Sequence, residues 1–345
     1  MRFRTHPMMF RRLMAALLVV LPLAFVAGCS MQDYPQSSLH PHSNYAQWIQ
    51  TLLEQLTFWV VIIFVVVQAL LIYAAIRFRS RPGAPDPKPI HGNTALEIGW
   101  TIAPALILTL VAVPTVLTIF KSQAPPPEDA LQVRVVGHQW WWEFQYPDLG
   151  ITTASELHVP VGVPVNISLE TADVIHSFWF PAMGGKRDVI PGRTNRLWFT
   201  PSDIGQYPGQ CAELCGTSHA NMRMALMVQA PEEFQAWVAA QQLPPVEPEA
   251  GTLAAQGKQY FTQGQCIVCH MIQGVSAGVI GPNLTHVGSR TTIAGGIFPN
   301  DAADLGKWII NAPARKPGAK MLSLKDMAMS PEQVPAIVAY LQSLK

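Results

Sequence analysis

Residues 211–222 read Cys211-Ala-Glu-Leu-Cys215-Gly-Thr-Ser-His219-Ala-Asn-Met222, placing two thiols, an imidazole and a thioether within one short loop. A second imidazole, His176, stands upstream in Asp173-Val-Ile-His176-Ser-Phe178. Thiolate, imidazole and thioether donors together favour copper, and a mononuclear blue site uses one Cys, two His and a weak axial Met. With a second Cys, two thiolates can bridge two metal ions, leaving one His for each and a weak donor on either side. An electron shared over two coppers in a stiff frame changes bond lengths little on reduction, which suits fast transfer rather than substrate chemistry. The alternative is a Cys211–Cys215 disulfide, which an oxidising compartment permits. His219 and Met222 at ligand spacing weigh for copper. Around this loop, β-rich segments at 131–136, 157–169, 178–180, 196–199 and 224–228 are separated by Gly, Pro and Asp turn signals. That pattern predicts an antiparallel sandwich rather than alternating strands and helices.

Toward the N-terminus the composition changes. Charged residues make up only 13% of the chain, as membrane segments diluting a soluble composition would give, and a net charge of +1 offers no case for nucleic-acid binding. Runs 57–76 and 98–120 carry no charge and are long enough to cross about 30 Å of hydrocarbon as helices. Between them lie Arg77, Arg79, Arg81 and Lys88 against Asp86 and Glu97, so the positive-inside rule predicts a cytoplasmic loop with both ends outward. A shorter apolar run, 13–27, follows Arg2, Arg4, Arg11 and Arg12 and reads as a signal peptide. Its end, Val26-Ala27-Gly28-Cys29, resembles a bacterial lipobox, with Cys29 as the acylated residue; an uncleaved anchor with an incidental Cys is the alternative.

Toward the C-terminus, Leu243-Pro-Pro-Val-Glu-Pro-Glu-Ala250 reads as a linker. Helical stretches follow near 253–262, 303–311 and 331–344, with Gly/Pro-rich loops between them. Cys266-Ile-Val-Cys269-His270 is the c-type haem attachment pattern, in which two thiols bond the haem and the adjacent imidazole coordinates iron. A zinc half-site or a redox Cys-x-x-Cys would need a second zinc pair or a thioredoxin-like βαβ pattern, and the sequence offers neither. The expected organisation is a lipoprotein leader at 1–28, a transmembrane hairpin at 45–121, a sandwich at 122–240, a linker at 241–250 and a haem domain at 251–345.

Over residues 45–240 the chain resembles cytochrome c oxidase subunit II, its 211–222 segment matching that family's CuA loop. Residues 251–345 resemble a small class I cytochrome c, through Gly281-Pro282-Asn283-Leu284, Trp308 and Ala339-Tyr340-Leu341. The resemblance, to a caa-type oxidase subunit, implies a membrane protein with two transmembrane helices, an exported all-β cupredoxin-like sandwich and an all-α cytochrome c domain. It implies two coppers held by His176, Cys211, Cys215, His219, Met222 and the Glu213 carbonyl. The Glu213 carboxylate would face a magnesium or manganese site at the boundary with subunit I. The haem iron would take His270 and, from Lys316-Pro317-Gly318-Ala319-Lys320-Met321, Met321; Met327 and Met329 are competitors.

Within Gly137-His138-Gln139-Trp140-Trp141-Trp142, Trp140 matches the family's surface tryptophan, where an external cytochrome c passes its electron. Tryptophans here could instead be sandwich core or a membrane-interface belt. Glu97, before Ile98-Gly99-Trp100, matches the entrance of a proton channel completed by subunit I, although a carboxylate at a helix N-terminus is ordinarily a dipole partner. The implied function is an electron relay in a bacterial inner membrane, with both redox domains on the periplasmic side. An external donor, such as a cytochrome c or a quinol–cytochrome c reductase, reduces haem c; haem c reduces CuA; and oxygen is reduced in subunit I with proton pumping. A CuA-containing nitric oxide reductase is the alternative within the enzyme class. A copper-delivery assembly protein leaves Met222, the two membrane helices and the haem unexplained.

Overall fold

The computed structural model describes residues 34–83, 89 and 91–345. The leader, Cys29, Asp86 and Lys88 lie outside the described residues. Helices α1 (Asn44–Arg77) and α2 (Thr94–Gln123) contain the two apolar runs and extend past both ends of each. Hydropathy locates the apolar centres, but polar caps fix the ends. At α1, Ser43 Oγ accepts from Ala46 N at 3.1 Å and donates to Met183 O at 2.6 Å, so the helix starts pinned to the sandwich. At α2, Asn93 Oδ1 accepts from Leu96 N, and one residue further in than a capping box would use, Glu97 Oε1 accepts from Asn93 N. The most apolar window of each helix is unburied by the rest of the described chain.

The part after α2 opens with a sandwich of two five-stranded sheets. One runs β3 (Ile151–Ala154), β2 (Trp141–Tyr146), β1 (Leu131–His138), β5 (Val165–Thr171), β8 (Asn195–Phe199). The other runs β4 (Glu156–Pro160), β10 (Arg223–Gln229), β9 (Gly205–Cys211), β6 (His176–Trp179), β7 (Arg187–Val189). Alternation drives the layering: in β2, Trp142, Phe144 and Tyr146 point inward and are fully buried. Two pairs, β1/β5 and β4/β10, are parallel, so the expectation of a wholly antiparallel sandwich is corrected. The chain reaches β5 by crossing from the opposite sheet, and only a hairpin forces antiparallel pairing. The predicted single strand 157–169 breaks at Val161-Gly162, where Gly162 takes a positive φ of 76° that favours glycine. Helix α3 (Pro231–Gln242) packs Phe234 and Val238 onto the sandwich core.

After 243–250, a second core forms between α4 (Leu253–Gln263), α6 (Ala302–Ile310) and α8 (Val334–Ser343), with short α5 (Cys266–Cys269) and α7 (Ala312–Arg315) between them. Helices α4 and α8 cross at Gly257, where a Cβ would fall 1.9 Å from Ala336 O. Beside the crossing, Phe261 and Tyr340 meet edge to face, centroids 5.7 Å apart.

Candidate metal centre and haem cavity

The β9–β10 connection carries the cysteine loop. Its mouth is closed by Cys211 N donating to Met222 O at 2.9 Å, and Ala212 N donating to Ser177 O at 2.9 Å ties it to β6, whose first residue is His176. Cys211 Sγ and Cys215 Sγ lie 3.7 Å apart. His176 Nδ1 is 3.9 Å from Cys211 Sγ, and His219 Nδ1 is 3.6 Å from Cys215 Sγ. Met222 Sδ is 3.8 Å from Cys215 Sγ, and the Glu213 carbonyl oxygen is 3.3 Å from Cys211 Sγ. The other four donors named from the sequence thus surround the Cys211–Cys215 sulfur pair, and Cys211, Cys215, His176 and Met222 are buried.

The two thiols perturb each other. Their shared contact holds Cys211 down to about 3 and pushes Cys215 up. One proton leaves easily and the second needs a counter-charge, which bound cations supply when they deprotonate coordinating thiols. His176 is oriented from behind: its Nε2 donates to Asp173 Oδ1 at 2.8 Å, so Nδ1 presents its lone pair to the cluster. Asp173 also accepts from Gln139 N at 2.7 Å and Val174 N at 2.8 Å. Burial raises the Asp173 carboxyl, but the hydrogen bonds from His176, Gln139 and Val174 outweigh it and hold the group below its ordinary value. The donor chemistry fits a pair of copper ions.

Trp140 contacts the loop directly. Its Nε1 donates to Cys215 O at 3.1 Å, beside Gln139 Nε2 at 2.7 Å to the same oxygen. Expected at the surface, Trp140 is only 8% exposed, because residues 316–318 of the haem domain cover it. Trp142 lies in the sandwich core, and Trp141 stacks on His138 at 4.2 Å between centroids. Glu97 is exposed and caps α2, away from the cysteine loop. The Glu213 side chain is exposed.

A cavity of about 350 Å³ opens in the second domain, with Cys266, Cys269, His270, Met321 and Met327 on its lining. His270 Nδ1 donates to Pro282 O at 2.9 Å; a carbonyl can only accept, so Nε2 carries the lone pair a haem iron requires. Burial lowers the His270 pKa, favouring that neutral ligand form. Gly281 is required beside the ring, since a Cβ there would lie 2.6 Å from His270 Cε1. Arg290 Nε is buried without a partner on the cavity wall, a cation that would suit a carboxylate of a bound haem; burial brings its pKa down to about 10. These residues fit a covalent haem. Met329 packs on the second core, whereas Met321 and Met327 both line the cavity.

The copper domain supplies one wall of this cavity, through His138, Trp140 and Trp141. The sequence reading missed this, along with Asp173, Arg290 and Lys316. An Asp three residues before a histidine reads as turn chemistry, and a lysine beside Pro317-Gly318 reads as loop surface; neither type announces a buried role.

Residues 30–117 match the family described as cytochrome C oxidase subunit II, transmembrane domain, residues 150–230 match its periplasmic domain, and residues 254–345 match cytochrome c. A protein of Alkalihalophilus pseudofirmus named cytochrome c oxidase subunit 2 is 39% identical, covering 94% of this chain and 96% of its own length. A protein of the same name from Bacillus subtilis is 34% identical over 95% of this chain and 96% of its own length. Among solved structures, the periplasmic domain of subunit II of cytochrome oxidase of Bradyrhizobium japonicum is 37% identical, with a TM-score of 0.33, and covers 34% of this chain and 96% of that chain. Likeness along nearly the whole length, through hairpin, sandwich and haem domain together, establishes that the chain belongs to the cytochrome c oxidase subunit II family.

Proposed function

We propose that this chain takes one electron at a time from an external donor onto haem c and passes it to a dinuclear copper centre, which delivers it to subunit I. Cys266 and Cys269 hold the haem covalently, and His270 and Met321 ligate its iron. His176, Cys211, Cys215, His219, Met222 and the Glu213 carbonyl hold the coppers. The carrying observation is the convergence of four further donors on the Cys211–Cys215 sulfur pair, with Trp140 hydrogen-bonded to the loop and forming part of the cavity wall around Cys266, Cys269 and His270. Because the fused domain covers Trp140, electrons reach that residue from haem c, and the external donor docks on the haem domain.

The organisation follows the sequence reading: leader at 1–28 with Cys29 lipidated, hairpin at 45–121 with a cytoplasmic loop, redox domains at 122–240 and 251–345 on the periplasmic side, joined through 241–250. Glu97 marks a proton entrance. The Glu213 carboxylate, exposed beside the copper loop, contributes to a magnesium or manganese site shared with subunit I.

Electron paramagnetic resonance of the oxidised full-length chain tests the copper assignment. An electron delocalised over two equivalent copper nuclei gives a seven-line hyperfine pattern. A four-line mononuclear spectrum, or one copper per chain by metal analysis, contradicts the assignment.

A further inference from the structure

Glu156, the first residue of β4, is a carboxylate 1% exposed on an edge strand of the copper domain. Its Oε1 accepts from Thr291 N at 2.8 Å, Thr291 Oγ1 at 2.7 Å, Thr292 N at 2.8 Å and Thr292 Oγ1 at 3.0 Å. All four donors belong to the haem domain. The nearest cationic candidate in its own domain is His158, whose Nε2 lies 3.9 Å from Oε2. A buried carboxylate is tolerated only when paired and hydrogen-bonded. Here those bonds exist in one arrangement of the two domains.

The turn that Glu156 grips leads straight to the haem cavity and to the copper loop. Arg290, on the cavity wall, precedes Thr291, and Ala294 and Gly295 follow Thr292. Arg223 N, just after the last copper ligand, donates to Gly295 O at 3.0 Å. Lys316 Nζ joins Ala294 O and Trp140 O, 2.6 Å from each. Ser218 Oγ, between Cys215 and His219, donates to Pro317 O at 2.6 Å. Gly318 lies so close to the Trp140 ring that a Cβ would stand 2.7 Å from Cη2.

We propose that Glu156 is a positioning residue for haem-to-copper electron transfer: its carboxylate locks the 291–296 turn, and with it the haem cavity, in one pose against Trp140 and the copper loop. The inference rests on the cofactor assignments above. One electron leaves ferrous haem and reduces the copper pair by one, with no bond made or broken and no proton moved. The rate of such a step falls steeply with distance, so a haem swinging on the 243–250 linker would transfer only during close encounters. Locked by Glu156, it transfers from a single geometry.

Pulsed electron paramagnetic resonance on the full-length chain, loaded with copper and ferric haem c, measures the distribution of haem-to-copper distances. Photoreduction of the haem on the same sample gives the intramolecular rate. The parent chain should show one narrow distribution and a rate insensitive to solvent viscosity. Glu156→Ala should keep both cofactor spectra, broaden the distribution, lower the rate and make it viscosity-dependent. If that variant does not fold, the Thr291→Val, Thr292→Val double variant removes the two hydroxyl donors and should shift the same readouts in the same direction. A distribution and rate unchanged in whichever variant folds overturns the proposal, as does a broad distribution in the parent chain. Absence of the copper or haem spectrum from the parent chain sinks the cofactor reading beneath it, a different failure.

Discussion

Asp173 holds His176 by its Nε2 proton, which leaves the Nδ1 lone pair facing the cysteine sulfurs, where the proposed copper would bind. Replacing such an outer carboxylate typically costs 10–100-fold in metal affinity. Asp173→Ala should therefore lose copper to a competing chelator at roughly 10–100-fold lower chelator concentration than the parent chain, with haem retained; equal retention would show that His176 needs no such support. At the second site, Met321→Ala should abolish the sulfur-to-iron charge-transfer absorption of ferric haem c and leave the copper spectrum intact. An unchanged haem spectrum would move the axial role to Met327, the other methionine on the cavity lining. The candidate ligands were legible because their chemistry is rare and five of the proposed copper donors crowd into 211–222. The groups that orient them were not. Asp173, Glu156 and Lys316 have ordinary residue types; Asp173 three residues before His176 reads as turn chemistry, and the partners of Glu156 and Lys316 are distant in sequence.

At the scale of elements, the alternating strands and apolar helices were readable, whereas β9 was not. Gly205-Gln-Tyr-Pro-Gly-Gln-Cys211 holds two glycines and Pro208, a composition that argues against a central strand. The structure accommodates it because pairing with β6 involves only Gln210 and Cys211, leaving Pro208 beyond that partner. Helix ends also escaped the hydropathy reading, since Ser43 and Asn93 set them through capping hydrogen bonds. Gly257 shows how one residue sets a helix crossing. Its lack of a side chain lets α4 touch the backbone of α8, and an added Cβ would overlap Ala336 O. Gly257→Ala should destabilise the haem domain by about 1–3 kcal/mol or more, the range for overpacking, despite the better helix propensity of alanine. Thermal melts followed at the haem absorbance test this; an unchanged or raised midpoint would contradict the packing argument.

For the whole molecule, the sequence announced two redox modules and a membrane hairpin but not their mutual arrangement. A Pro/Glu linker is compatible with motion, and nothing in 243–250 foretells that Glu156, Lys316 and Ser218 join the modules across buried contacts. On the proposal above, those contacts would turn a tethered donor into a fixed relay; Trp140 stands between the cavity and the cysteine loop. The central claim, that electrons run from haem c to the copper pair within this one chain, is tested most directly by flash-reducing the haem of the isolated chain and following both centres in time. Haem reoxidation should proceed in step with loss of the oxidised copper signal, at a rate independent of protein concentration. A rate that rises with concentration, or a haem that stays reduced beside oxidised copper, would contradict it.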